Sequence, residues 1–160
     1  MKNAIIDHLI TSALRSLRAA SPIHQTMLVH TKRLKDNMHP VVLRIRHQLN
    51  QWKPVIRNDP RFLLFQQKDE LSRFSNRYQS EFVNKWNYSD EPPEFDEVKA
   101  WISDAYTRDA FRVIEVSSDE DFATNDLDYD SDYHSEFGLN VIAVGGQRLS
   151  RGLTLEGLTI

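Results

Sequence analysis

The sequence has no cysteine. Disulfides and thiolate zinc sites are therefore excluded, and the absence is compatible with a reducing compartment. It also has no long apolar run. Nothing approaches the roughly 18 consecutive apolar residues that a membrane-spanning helix needs, and the opening stretch MKNAIIDH lacks the uninterrupted apolar core of a secretory signal. A cytoplasmic location with no membrane partner is the expectation. There is no G-x-x-x-x-G-K-[ST] phosphate loop, and no strand-end acid beside one to hold magnesium. These residues alone are not expected to hydrolyse a nucleoside triphosphate, since that chemistry needs both parts. The histidines His8, His24, His39, His47 and His134 show no metal-ligand spacing, and no Ser–His–Asp arrangement is assignable.

What is present suits one ordinary domain with a real core. Net charge is only −3, but its distribution is uneven. Residues 1–56 carry Lys2, Arg15, Arg18, Lys32, Arg33, Lys35, Arg44, Arg46 and Lys53 against Asp7 and Asp36 alone. Residues 115–136 carry nine acids and no Lys or Arg. Such asymmetry bears on partners, not on fold.

Ile5, Ile6, Leu9, Ile10, Ala13, Leu14 and Leu17 form one stripe at helical spacing, which predicts a helix over residues 4–19 ended by Ser21-Pro22. Residues 26–30 are short and apolar, as in a buried strand, and a polar stretch over 31–37 follows. His39-Pro40 opens a second helix, with proline in the first turn where its missing N–H is harmless. Val41, Val42, Ile45, Leu49 and Trp52 make its apolar face, and Pro54 is expected to close it. Residues 61–86 read as helix, with Phe62, Phe65, Phe74, Tyr78, Phe82 and Trp86 as core and a break near 66–69. Residues 87–93 read as a loop and 95–106 as a helix. Residues 111–117, with Val113, Ile114 and Val116, read as a strand. Residues 118–138 are acidic and irregular, longer than most connections. Strands alternating with helices predict a parallel sheet. The connection from the first strand to the second is far longer than the dozen or so residues of a plain crossover. We therefore expect an α/β fold with a mostly helical insertion: 1–57 as the first part of a sheet lobe, 58–106 as insertion, and 107–160 as the remainder.

The most informative run is the last. Val141-Ile142-Ala143-Val144 is a short apolar run of the kind buried on both faces in a parallel sheet. Gly145 and Gly146 follow, then Arg148, Arg151, Gly152 and Gly157, with a fourth strand expected from Leu158. Strand, glycine turn and polar loop are how ligand sites arise at the carboxyl ends of strands in open α/β sheets. The segment GGQRLSRGLTLEGL resembles the signature of the Z-one domain family, candidate endonucleases associated with superfamily-two helicases and often linked to phage defence. Met27-Leu28-Val29-His30-Thr31 resembles that family's earlier strand. The likeness covers roughly residues 4–35 and 110–160. The run is also similar to helicase motif V, with Gly146 where that motif has Thr and Thr154 where it has Asp.

The resemblance implies the second RecA-like lobe of a helicase-like ATPase or endonuclease acting on DNA. The first lobe would be supplied from elsewhere, and ATP and magnesium would be used by the whole protein, not required by this part alone. On that basis Gly145, Gly146, Arg148, Arg151, Gly152 and Thr154 are expected to contact nucleotide. His30, Thr31, Lys32 and Arg33 are expected to contact the nucleic-acid backbone. The run stops before the arginine-rich motif that would come next, so a longer protein is expected. Glycine amides and guanidiniums do suit phosphate, and a hydroxyl with basic neighbours suits phosphate positioning rather than base reading. The other reading is a structural or protein-interaction domain, with a surface turn and solvated arginines.

Two further patterns point elsewhere. Asp126, Asp128, Asp130 and Asp132 alternate like calcium-loop ligands, but Ser131 and Phe137 stand where that loop has Gly and Glu. A solvated acidic loop, kept away from any nucleic-acid path, is the expectation. Glu97-Val98-Lys99 matches part of a nuclease motif but lies in an expected helix.

Overall fold

The computed structural model describes residues 1–19, 21–31, 38–57, 65–116 and 136–146. Its elements in chain order are α1 (Lys2–Arg18), β1 (Gln25–His30), α2 (Met38–Ile56), α3 (Phe65–Arg77), a π-helical turn (Tyr78–Phe82), a 3-10 turn (Val83–Lys85), α4 (Phe95–Thr107), β2 (Phe111–Val116) and β3 (Asn140–Gly145). The chain forms two compact units. One holds Met1–Arg18 with Gln48–Arg108, the other Ala19–His47 with Asp109–Ile160. No helix among the described residues is long and apolar enough to cross a membrane.

In the helical unit, α1 packs on α4 and α3. Ile5, Ile6, Leu9, Ile10 and Ala13 are fully buried, as their spacing predicts. Burial of each Ile or Leu side chain among them stabilises by about 1.5–3 kcal/mol. The stripe ends at Leu14; Leu17, expected inside, is 41% exposed. From α4 come Val98, Ile102 and Ala105. Trp52 meets Phe74 edge-on at 5.2 Å, and its indole N–H donates to Glu70 at 2.9 Å. Glu70 also pairs with Lys2 and Arg73. Partial burial pushes its carboxyl up, but the hydrogen bonds from Trp52 and Lys2 and the charges of Lys2 and Arg73 together outweigh it and hold the carboxyl below the usual range. Arg77 bridges Asp7 on α1 and Glu81. Glu97 accepts a hydrogen bond from the Glu94 backbone N–H at the start of α4, which gives this residue a helix-capping role.

Two expectations for these helices fail. Pro54 does not close α2, which runs on to Ile56. Proline costs a helix one hydrogen bond and crowds the preceding turn, but Val55 and Ile56 are both 3% exposed, and their burial carries the chain onward. The break expected near 66–69 is also absent, since those residues are inside α3. Gln66, Gln67 and Lys68 are good helix formers, which outweighs the weaker Asp69.

In the sheet unit the three strands among the described residues are parallel, in the order β1-β3-β2. All six residues of β3 are buried, as the unbroken apolar run predicts for a central parallel strand. Residues in register share a face. Leu28, Ala143 and Ile114 are partners across the sheet and belong to one cluster with Val116, Leu139 and Val141. Met27, Ile142 and Val113 form the row on the other face, and all three are buried. The first part of α2 touches β2: Arg46 donates to the Val113 carbonyl at 2.8 Å, and His39 lies 3.3 Å from Glu115.

The amino-terminal edge of the sheet is pinned by groups that local pattern did not single out. Gly138 has φ +61, and a Cβ there would fall 2.6 Å from the Ile23 carbonyl oxygen. Only glycine meets both demands without strain. His24 accepts the Leu139 N–H through Nδ1 at 3.0 Å. The Asn140 side chain donates to the Phe137 carbonyl at 3.0 Å.

Candidate functional site

Because all three strands are parallel, their carboxyl ends lie along one edge of the sheet. His30 and Val116 both stand in register with Gly145, so the three chain exits are neighbours. The exits of β1 and β3 are joined. The Gly145 carbonyl accepts the Thr31 backbone N–H at 2.9 Å and the Thr31 hydroxyl at 3.3 Å. The stretches that the sequence singled out separately, after His30 and after Gly145, therefore start side by side.

Each placed residue has a distinct setting here. His30 is exposed at the end of its strand. Thr31 is only 9% exposed and has its hydroxyl turned to Gly145. At 3.3 Å that bond is long for an O–H donor, whose preferred distance is about 2.7–2.8 Å. A charged acceptor would compete with it effectively. Gly146 has no left-handed φ, and a Cβ there would meet nothing within 4 Å among the described residues. Among the described residues neither backbone conformation nor crowding requires glycine at 146. Lys32, Arg33, Arg148, Arg151, Gly152 and Thr154 lie outside the described residues, as do Asp126 to Asp132 and the expected strand from Leu158. Lys32 follows Thr31 directly in sequence, and Arg148 is two positions after Gly146.

The structure adds one element that sequence reading did not bring to this site. The first turn of α2 stands by the carboxyl end of β2, since His39 reaches Glu115, whose neighbour Val116 pairs with Gly145. The start of a helix has unpaired N–H groups and a positive dipole end, both favourable to anions. The proline at His39-Pro40 was the signal available for this helix start. Its placement against the sheet was not.

The edge thus brings together a glycine backbone, a hydroxyl held by a long hydrogen bond, a histidine and a helix start. Among the described residues no three His, Asp or Glu side chains converge as ligands, and Glu115 is engaged by His39. The acidic stretch was expected away from such a site. Of that stretch, residues 118–135 are outside the described ones.

No curated protein and no solved structure matches the chain. The family model of the Z1 domain matches it over residues 1–160, and the chain belongs to that family.

Proposed function

We propose that this chain is the second RecA-like lobe of a helicase-like ATPase or endonuclease acting on DNA, of phage-defence or restriction type. The observation that carries the reading is the double hydrogen bond from Thr31 to the Gly145 carbonyl. It ties the exits of two adjacent parallel strands, the place where open α/β sheets hold ligands. In this reading the run from Gly145 to Thr154 closes on the phosphates of a nucleotide, and His30 to Arg33 hold the nucleic-acid backbone. Magnesium and most of the nucleotide pocket belong to a first lobe carrying the phosphate loop that this sequence lacks.

The test uses the longer protein in which such a loop is present. Replacing Arg148 and Arg151 by Ala is expected to abolish DNA-stimulated ATP turnover while leaving the fold intact by circular dichroism. DNA affinity is expected to fall steeply with rising salt, as phosphate contacts require. Unchanged turnover in the double variant would refute the nucleotide role. Efficient ATP hydrolysis by residues 1–160 alone would refute the two-lobe reading.

One observation favours a second reading, a structural or protein-interaction domain: the polar side chains placed at this edge, Thr31, His39 and Glu115, already have partners within the chain. That reading expects no effect of the arginine substitutions and little dependence of binding on salt.

A further inference from the structure

The helical unit contains an irregular stretch that no role in the sheet unit accounts for. After α3 the chain passes through a π-helical turn and a 3-10 turn. A π turn inside a helix is a costly geometry found frequently at functional sites. Here the irregular stretch and the segment after it wall a cleft of about 240 Å³ against α1, lined by Phe82, Lys85, Trp86 and Tyr88 on one side and by Leu14, Arg15 and Arg18 on the other.

The aromatic pair is held in place and left accessible. The Arg18 guanidinium lies 3.7 Å from the Tyr88 ring centroid and 5.2 Å from that of Trp86. Asp90 grips the same guanidinium through two contacts of 3.2 and 3.3 Å, which fixes its plane. The Trp86 indole N–H donates to the Asp90 carbonyl at 2.6 Å, and the two rings meet at 5.0 Å with their planes 64° apart. Yet Tyr88 is 61% exposed and Trp86 only partly buried. Arg15, Arg18 and Lys85 line the cleft together with one carboxylate, Glu81, which is paired to Lys85, so a phosphate there would compete for Lys85 with Glu81.

Exposed rings beside basic groups are what base stacking requires. From this juxtaposition we infer that the cleft receives one unpaired base of a single-stranded nucleic acid. The base stacks on the Trp86–Tyr88–Arg18 surface, and Arg15 and Lys85 face the flanking phosphates. Bases inside a duplex are stacked on each other and offer no free face, so the site discriminates single from double strand. The sequence pattern had assigned Trp86 to a helix core. The structure places it after the helical stretch has ended at Lys85.

This inference rests on the nucleic-acid reading above but uses a different unit, so the two are separable. Binding of fluorescein-labelled oligothymidine, oligouridine and a DNA duplex of equal length is measured by anisotropy with the full chain. Trp86→Ala is expected to weaken single-strand binding about tenfold and to leave duplex binding unchanged, while Trp86→Phe keeps affinity within about twofold because the stacking face persists. Tyr88→Ala, at a mostly exposed position, repeats the test without risk to the fold. The relative affinity for oligouridine and oligothymidine assigns the strand to RNA or DNA. Persistent single-strand binding that neither alanine variant alters would overturn the cleft. Absence of binding to any oligonucleotide would overturn both this inference and the reading it rests on.

Discussion

His8 makes the helical unit acid-sensitive in a way that a single substitution removes. It is fully buried on α1, and neither ring nitrogen has a hydrogen-bond partner among the described residues. Burial disfavours the charged imidazolium and lowers its pKa from 6.5 to about 4. Above pH 6.5 the ring is neutral whether the chain is folded or not, and pH has no leverage on stability through it. As pH falls from 6.5 towards 4, the unfolded chain takes up a proton that the folded chain refuses. Stability is therefore lost over that window, by linkage about 2 kcal/mol at pH 5 and about 3 kcal/mol at pH 4. That is a large share of the roughly 5–15 kcal/mol of a typical domain. Urea unfolding at pH 7 and pH 5 of the parent and of His8→Leu measures it. The variant is expected to be at least as stable at pH 7, since it removes two buried polar atoms that have no partner. It is expected to lose about 2 kcal/mol less than the parent on going to pH 5. Carboxylates titrate in both proteins and cancel in the difference. Equal losses in the two would refute the reasoning.

The remaining predictions concern backbone geometry and one ion pair. Gly138→Ala should cost more than the roughly 1–2 kcal/mol of a left-handed alanine, because its Cβ also meets the Ile23 carbonyl; the shift of the urea midpoint reads this. Asp109 has φ 56 just after α4. Asp109→Gly should hold or slightly raise the thermal midpoint, whereas Asp109→Val should lose about 1–2 kcal/mol. Asp7→Ala strips Arg77 of a partner at 2.9 Å on a side chain only 25% exposed, and should cost about 1–2 kcal/mol in urea unfolding, less at high salt.

The strands were legible because a parallel strand buried on both faces leaves an unmistakable local mark, an unbroken apolar run such as Val141 to Val144. The helices were legible where the apolar stripe was regular, as in α1 and α4. Reading failed where a rule about one residue met a neighbour that overrode it. Pro54 looked like a terminator until the burial of Val55 and Ile56 is weighed against it. The π turn after Arg77 has no sequence mark at all. Phe82 and Trp86 continued a helical spacing on paper, but the helix changes pitch before reaching them. At the candidate site, the stretches after His30 and after Gly145 were each visible as polar turns following strands. That they start as neighbours was not, because the order β1-β3-β2 is a fact of pairing between residues more than a hundred positions apart. Gly138 was passed over as part of an acidic connection, since a glycine's φ is not written in its neighbours.

The pins at the amino-terminal edge and the corner at the carboxyl-terminal edge are two ends of one constraint. β3 has six residues, and its register to both neighbours is set where Gln25 and Phe111 face Asn140. His24 on the Leu139 N–H and the left-handed Gly138 fix where that pairing begins. A slip of one residue would turn Val141 and Ala143 to the opposite face, breaking the cluster with Ile114 and Leu28, and would carry Gly145 away from Thr31. Side chains at the amino edge thus determine whether the carbonyl of Gly145 is in place to receive the Thr31 N–H and hydroxyl at the other end. A residue such as His24 therefore acts on the candidate site without touching it. Its substitution by Ala should loosen the Thr31–Gly145 junction, read as faster amide exchange at Thr31, before it unfolds the sheet.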